Sequence, residues 1–338
     1  MAGLLTVCRK ELADNLGSKR YMVFFALIIV LSTLSAYQGA EYIKENTSAG
    51  FVSIFSGAQY GFPFTTLMVF FGPIIGLALG FDAINKEKTS GSLSVLLSQP
   101  IYRDSVLNGK FLAGIAALSL LTGSTIGIMS AIAIPVLGFG PDLEAVSRIS
   151  VFALLTILYL SFWLALGLVF STVTKKTTTS ILVSVATWLF FSIVITIIAM
   201  LVANVFASTQ IPQGFNPGTF GNGEGRFGIG NNTGSFNQSQ TQEFISRMQQ
   251  QSALQTDIQR ISPAYLYSEA SSAILGVTSG GGFGFIGRIG GSMPFRSLDL
   301  AQGLTATWPQ IAAIAVGLVA CFASSYMLFL RQEIRPGD

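Results

Sequence analysis

Six apolar runs without a single Asp, Glu, Lys or Arg divide this 338-residue chain: residues 21–37, 62–81, 111–138, 149–171, 180–204 and 306–330. A helix needs about 20 mostly apolar residues to cross a bilayer. Inside hydrocarbon its backbone N–H and C=O groups must be satisfied within the segment. One charge at the helix centre costs roughly 2.5–3.5 kcal/mol on the insertion scale, and these runs carry none. The pattern dictates an all-α integral membrane protein with six transmembrane helices. Only 10% of the residues are charged, against about 25% in soluble domains.

The distribution of Lys and Arg sets the expected topology. Arg9, Lys10, Lys19, Arg20, Lys86, Lys88, Arg103, Lys110, Lys175, Lys176, Arg331 and Arg335 fall on one side of six such spans. The short loops opposite hold only Lys44 and Arg148. Basic residues favour the cytoplasmic face, and long loops translocate largely regardless of charge. Both termini are therefore expected in the cytoplasm, and residues 205–305 outside it. This places the chain in the cell (plasma) membrane as a multi-pass protein in contact with the lipid bilayer. The net charge of +3 is too small to point to a nucleic-acid partner.

Several chemistries lack the residues they need. The chain has no histidine, which removes the commonest metal ligand and proton shuttle. Cys8 and Cys321 read as reduced, Cys321 within an apolar run. Ion-coupled transporters place ionisable residues inside the membrane, and these runs have none. No Gly-x-x-x-x-Gly-Lys-Ser/Thr loop is present to bind nucleotide, and the glycine-rich stretch 280–291 lacks its lysine. We expect no catalytic site, metal or cofactor in the chain, which is therefore not an enzyme. Energy for any transport must come from a partner.

Within the second run, Gly72, Gly76 and Gly80 recur every fourth residue. Small residues at that spacing share one helix face and let another helix approach closely, so they form a candidate helix-packing seam. Residues 1–20 form a leader: Leu4, Leu5, Cys8, Leu12 and Leu16 recur at helical spacing with Arg9, Lys10, Glu11 and Asp14 off the stripe. Such a helix suits the inner membrane interface. Between the second and third spans, residues 82–110 carry mixed charge, and a short helix there would present Leu93, Leu96 and Leu97 on one face, ended by Gln99-Pro100. An apolar face on a cytoplasmic loop must be buried, either on the protein itself or in a partner's groove.

The pattern Glu87-x-x-x-Gly91-Ser92-Leu93-x-x-Leu96-Leu97-Ser98-x-Pro100-x-x-Arg103, followed by Gly109-Lys110-Phe111, resembles the signature of ABC-2 type permeases. It is similar in particular to the NosY-like six-span membrane subunits of ABC transporters. Arg9-Lys10-Glu11-Leu12 before the first span and Ile261-Ser262-Pro263 ahead of the last resemble further family features. The resemblance implies a permease subunit that moves substrate, outward, by ATP hydrolysis in a separate ABC ATPase subunit. That partner would bind ATP and Mg, and a second permease copy or paralogue would complete the pair. By the same resemblance the leader is the elbow helix. Loop 82–110 would carry the coupling contact, with Glu87, Gly91, Leu93, Leu96, Leu97, Pro100 and Arg103 in or near it.

Residues 21–204 thus hold five spans and the coupling loop, and 306–338 the sixth span with a tail. The Gly/Asn/Gln-rich insertion 205–305 separates them. Its stretches 243–260 and 263–275 have helical spacing, with Ser262-Pro263 suited to an N-cap and first turn. A small helical cap over the outer mouth is expected, and its carboxylates show no metal-site spacing. An alternative function is a non-transporting scaffold or sensor whose external insertion binds a ligand or partner protein.

Overall fold

The computed structural model describes residues 2–45, 50–56, 63–89, 103–206, 238–276 and 299–331. Among them every regular element is a helix. In order these are α1 (Ala2–Leu16), α2 (Lys19–Glu45), α3 (Ser53–Ser56), α4 (Phe64–Gly80), α5 (Asn85–Thr89), α6 (Arg103–Leu137), α7 (Leu143–Val173), α8 (Thr177–Leu189), a π turn (Phe190–Val194), α9 (Ile195–Phe206), α10 (Gln238–Gln259), α11 (Pro263–Ile274) and α12 (Leu300–Arg331). Six segments are long and apolar enough to cross a membrane: α2, α4 with its extension through α5, α6, α7, α8–α9 and α12. They coincide with the six charge-free runs, extended at their ends by polar residues.

α7 is the hub of the bundle. Phe152, Tyr159 and Trp163 are fully buried along it, with α4 on one flank and α12 on another. The contact with α4 is close because α4 turns its glycines to α7. A Cβ built on Gly76 would lie 2.7 Å from the Leu160 carbonyl oxygen and 2.9 Å from Trp163 Cβ. On Gly80 it would lie 2.6 Å from the Leu164 carbonyl oxygen, and on Gly72 2.6 Å from Leu160 Cδ2. Gly167 of α7 answers Gly80, its own Cβ position falling 3.1 Å from Gly80 Cα. The similar pair Gly123 and Gly127 on α6 faces open space.

Two breaks in the helical ladder are repaired from outside the helix. Pro73 lies inside α4 and has no N–H, so the carbonyl four residues back, Val69, loses its helical donor. The Tyr159 hydroxyl donates to that carbonyl at 3.3 Å. In the π turn, the Ile195 N–H reaches back five residues to the Phe190 carbonyl, which slips the ladder by one. The neighbouring Phe191 carbonyl accepts from Ser262 Oγ at 2.7 Å. Ser262 occupies the N-cap position of α11 with Pro263 in the first turn, but its side chain makes no cap bond. The hydroxyl expected to cap α11 is spent on the π turn instead.

α11 ends through Gly276, whose φ of 71° is the left-handed conformation that favours glycine at a helix C-terminus. This helix does not sit over the end of the bundle as a cap. Tyr267 is buried and stacks on Tyr159 with centroids 4.4 Å apart. Its hydroxyl lies 3.0 Å from Thr156 Oγ1. Both partners are near the middle of α7, Thr156 about 20 Å from its first residue at ~1.5 Å per residue. α10 runs antiparallel to α9: Gln251 Nε2 donates to Asn204 Oδ1 at 2.6 Å, and Ser262 meets Phe191 farther down. α10 and α11 are thus a helical hairpin inserted alongside α9 and α7. Helical spacing located both helices; it carried no information about how deep they sit.

Candidate functional site

The bundle end that carries α1 gathers most of the charged side chains that the sequence placed beside the spans. α4 stops at Gly80 and the chain turns through residues 81–84 into α5. Ser171 Oγ on α7 accepts from the backbone N–H of Ile84 at 3.0 Å and of Asn85 at 3.1 Å. The Asn85 side chain closes on Thr174 Oγ1 at 2.7 Å. Ser180 Oγ at the start of α8 donates to the Phe81 carbonyl at 2.7 Å, and Lys88 Nζ donates to the Thr172 carbonyl at 3.4 Å. The turn leading into residues 90–102 is therefore fixed to the corner between α7 and α8.

Glu87 lies on that fixed segment. Its Oε1 is 2.8 Å from Lys110 Nζ. The same ammonium lies 2.9 Å from Glu11 Oε1 on α1. The Lys110 side chain is 6% exposed, those of Glu11 and Glu87 15% and 14%. One buried cation thus joins α1, α5 and α6. Gly109 makes room for the junction, since a Cβ there would fall 2.7 Å from Val7 Cγ1. The face of α1 that meets α6 is centred on Val7 and Glu11, whereas Leu5 of the expected apolar stripe is 69% exposed. The rest of the stripe, Leu4, Cys8, Leu12 and Leu16, is partly buried; what the stripe leaves out is Glu11, an acidic side chain drawn inward by a buried cationic partner.

A second ion pair lies nearby. Arg20 Nη2 donates to Asp82 Oδ2 at 2.7 Å, and the guanidinium stacks over the Phe81 ring at 5.3 Å, a cation–π contact. It ties the start of α2 to the end of α4.

The sequence-predicted coupling residues divide as follows. Glu87 is in the buried junction, and Arg103 is the first residue of α6, two turns before Lys110. Gly91, Leu93, Leu96, Leu97 and Pro100 lie outside the described residues. Glu11 and Lys110 were quoted in the motifs but not selected as partners, and Arg20 and Asp82 were not selected at all. The available signal was positional: each of the last three stands at the boundary of a charge-free run.

The opposite part of the bundle carries a second polar cluster, around the hairpin. Arg148 of α7 is buried, paired with Glu144 at 2.7 Å, and donates to the Ile274 carbonyl at 3.0 Å. It thereby satisfies a carbonyl at the C-terminus of α11. At the hairpin turn Arg260 Nη2 lies 2.7 Å from Glu269 Oε1 and Nη1 3.4 Å from Asp257 Oδ1. The hydrogen bond to Glu269 holds the Arg260 guanidinium above its usual pKa. Burial pushes the hydroxyls of Tyr265 and Tyr267 up. No group of three or more His, Cys, Asp or Glu is placed to hold a metal among the described residues. The arrangement ties α1, α5 and α6 together at one end and places a polar hairpin near the other.

Two curated proteins, each named "Probable ABC transporter permease protein NosY", are similar to the chain. The one from Pseudomonas aeruginosa is 36% identical over 147 residues, 44% of this chain and 50% of the relative. The one from Stutzerimonas stutzeri is 34% identical over 119 residues, 35% of this chain and 41% of the relative. The chain thus spans half the length or less of the curated relatives it matches. Residues 5–334 match the family described as ABC-2 family transporter protein, almost the whole chain. It belongs to the ABC-2 family of transporter membrane proteins.

Proposed function

We propose that the chain is the membrane-spanning permease subunit of an ABC exporter. A separate ABC ATPase subunit binds ATP and Mg and hydrolyses the nucleotide, and a second permease subunit, identical or paralogous, completes the pathway. The end of the bundle that carries α1 faces the cytoplasm, α1 is the interfacial elbow helix, and residues 205–305 are the external insertion. Force enters through loop 82–110, by way of Glu87, Gly91, Leu93, Leu96, Leu97, Pro100 and Arg103. Gly72, Gly76 and Gly80 serve as a packing seam that lets α4 and α7 move as one body.

The observation that carries this reading is the Lys110 junction. Residues 90–102 join α5 to α6 in the sequence, and Lys110 of α6 bonds Glu87 of α5 across that connection. A push on that segment reaches α5, α6 and α1 through one cation.

The test is co-expression with the ATPase subunit and reconstitution into vesicles. Leu96→Asp with Leu97→Asp is expected to release the ATPase or to abolish transport. Lys110→Met is expected to keep the ATPase bound and hydrolysing while transport per ATP falls. Purified complexes that never contain an ATPase subunit overturn the assignment as a whole. Wild-type transport and ATPase retention in the Leu96/Leu97 double variant overturn the assigned coupling face.

A further inference from the structure

Between α1, α2, α4 and α7 lies a cavity of about 270 Å³, near the low end of small-molecule sites, which run from roughly 300 to 1,000 Å³. Its lining is graded along the bundle axis. Toward the α1 end it carries Lys10, Asp14, Arg20, Asp82 and Lys86; farther in the walls are Phe24, Ile75, Leu79 and Leu164. Ile75 and Asp82 are seven residues apart, or about 10 Å along a helix. The charged rim stands where the charge-free runs begin, at the level of a bilayer's headgroups, and the apolar walls continue into the hydrocarbon.

The rim is preorganised. Arg20 is held by Asp82 and by the Phe81 ring, yet its side chain is 54% exposed, which leaves further N–H donors of its fork free to point into the cavity. Lys10 and Lys86 also line the rim and make no ion pair among the described residues. Four cations line the cavity, Lys10, Arg20, Lys86 and Lys110. Four carboxylates balance them, Glu11, Asp14, Asp82 and Glu87. A purely anionic group would meet the carboxylates as well as the cations. A group carrying both signs uses both.

The geometry points to a bound phospholipid with a zwitterionic headgroup, its phosphate on Arg20, Lys10 and Lys86 and its ammonium on Asp14. One acyl chain runs along Phe24, Ile75 and Leu79. A water-soluble solute would gain nothing from the apolar walls. A lipid with its head at the rim covers them and fills the gap between α1 and the α2–α4 pair. The site depends on the bundle end lying at a membrane surface, whichever face that is, and not on transport.

The test is native mass spectrometry of the full chain, washed with detergent and re-exposed to vesicles of equal parts phosphatidylethanolamine and phosphatidylglycerol. One phosphatidylethanolamine is expected to survive the wash. Its retention should fall about tenfold in Arg20→Met, the loss of one charge-assisted hydrogen bond of roughly 1.5 kcal/mol. Ala78→Trp, which keeps every charge and fills the space, should abolish it. Lys176→Met, a charge removed outside the cavity, should leave it unchanged. No retained lipid, equal retention in Arg20→Met and Ala78→Trp, or preference for phosphatidylglycerol overturns the proposal. Displacement by soluble glycerophosphoethanolamine at matched concentration also overturns it, since the apolar walls would then contribute nothing.

Discussion

Lys110 Nζ lies 2.8 Å from Glu87 Oε1 and 2.9 Å from Glu11 Oε1, inside the bundle and away from solvent. Removing the cation strands two mostly buried carboxylates against each other, whereas removing one carboxylate leaves a matched pair. Lys110→Met should therefore cost about 2–4 kcal/mol, near the range for breaking a buried pair. Glu87→Gln and Glu11→Gln should each cost less than half as much. Thermal unfolding in one detergent ranks the three. Equal losses would mean that the cation is balanced by groups other than these two.

The glycine face of α4 gives a contrast within one protein. At Gly76 and Gly80 an added methyl meets backbone atoms of α7 at 2.7 and 2.6 Å, so the helices must separate. Gly76→Ala and Gly80→Ala should each destabilise by about 1–3 kcal/mol, the usual cost of overpacking. At Gly72 the obstacle is the end of the Leu160 side chain, which can turn aside, so Gly72→Ala should be milder. Gly123→Ala meets nothing and should be neutral or stabilising by up to about 1 kcal/mol through helix propensity. The order of melting temperatures checks the series.

Tyr159 and Pro73 make a testable couple. If the Tyr159 hydroxyl serves the carbonyl that Pro73 leaves unpaired, Tyr159→Phe should cost about 1 kcal/mol in the native sequence. In a Pro73→Ala background, where the backbone N–H is restored, it should cost close to nothing. The Tyr267 ring contact is kept in both. A double-mutant cycle by chemical or thermal unfolding reads the coupling directly, and additive losses would show that the hydroxyl serves another purpose.

The six spans were legible because insertion energetics act locally, on the charge content of about 20 consecutive residues, and so was the glycine face. The apolar stripe of α1 was legible except at Leu5, but the inward place of Glu11 was not, because its partner is 99 positions away and no local period reports that. Ser262 stands at the N-cap of α11 as its position before Pro263 implies, but the destination of its hydroxyl was hidden for a similar reason. The competing acceptor is a π-turn carbonyl on another helix. The depth of the hairpin was hidden most thoroughly, because α10 is polar enough to read as a solvated cap, and only its contact with α9 places it.

That depth leads to the last prediction. Phe191 is 14 residues beyond Thr177, about 21 Å from the start of α8, and Ser262 is bonded to its carbonyl. The hairpin turn therefore lies within a hydrocarbon core of about 30 Å measured from that end. Asp257 and Arg260 are 68% and 44% exposed there, and in lipid each would carry a cost of a few kcal/mol. On α9, at the same level, Ile197 and Leu201 are exposed and apolar. The two surfaces must face different media: water or a second subunit beside α10, lipid beside α9. In a background with Cys8 and Cys321 replaced by Ser, Ser252→Cys and Asp257→Cys should react with a membrane-impermeant thiol reagent added from outside. Ile197→Cys and Leu201→Cys should stay unlabelled until the membrane is dissolved. Labelling of all four would place the whole hairpin outside the bilayer, whereas labelling of α10 alone identifies it as the wall of a hydrated path.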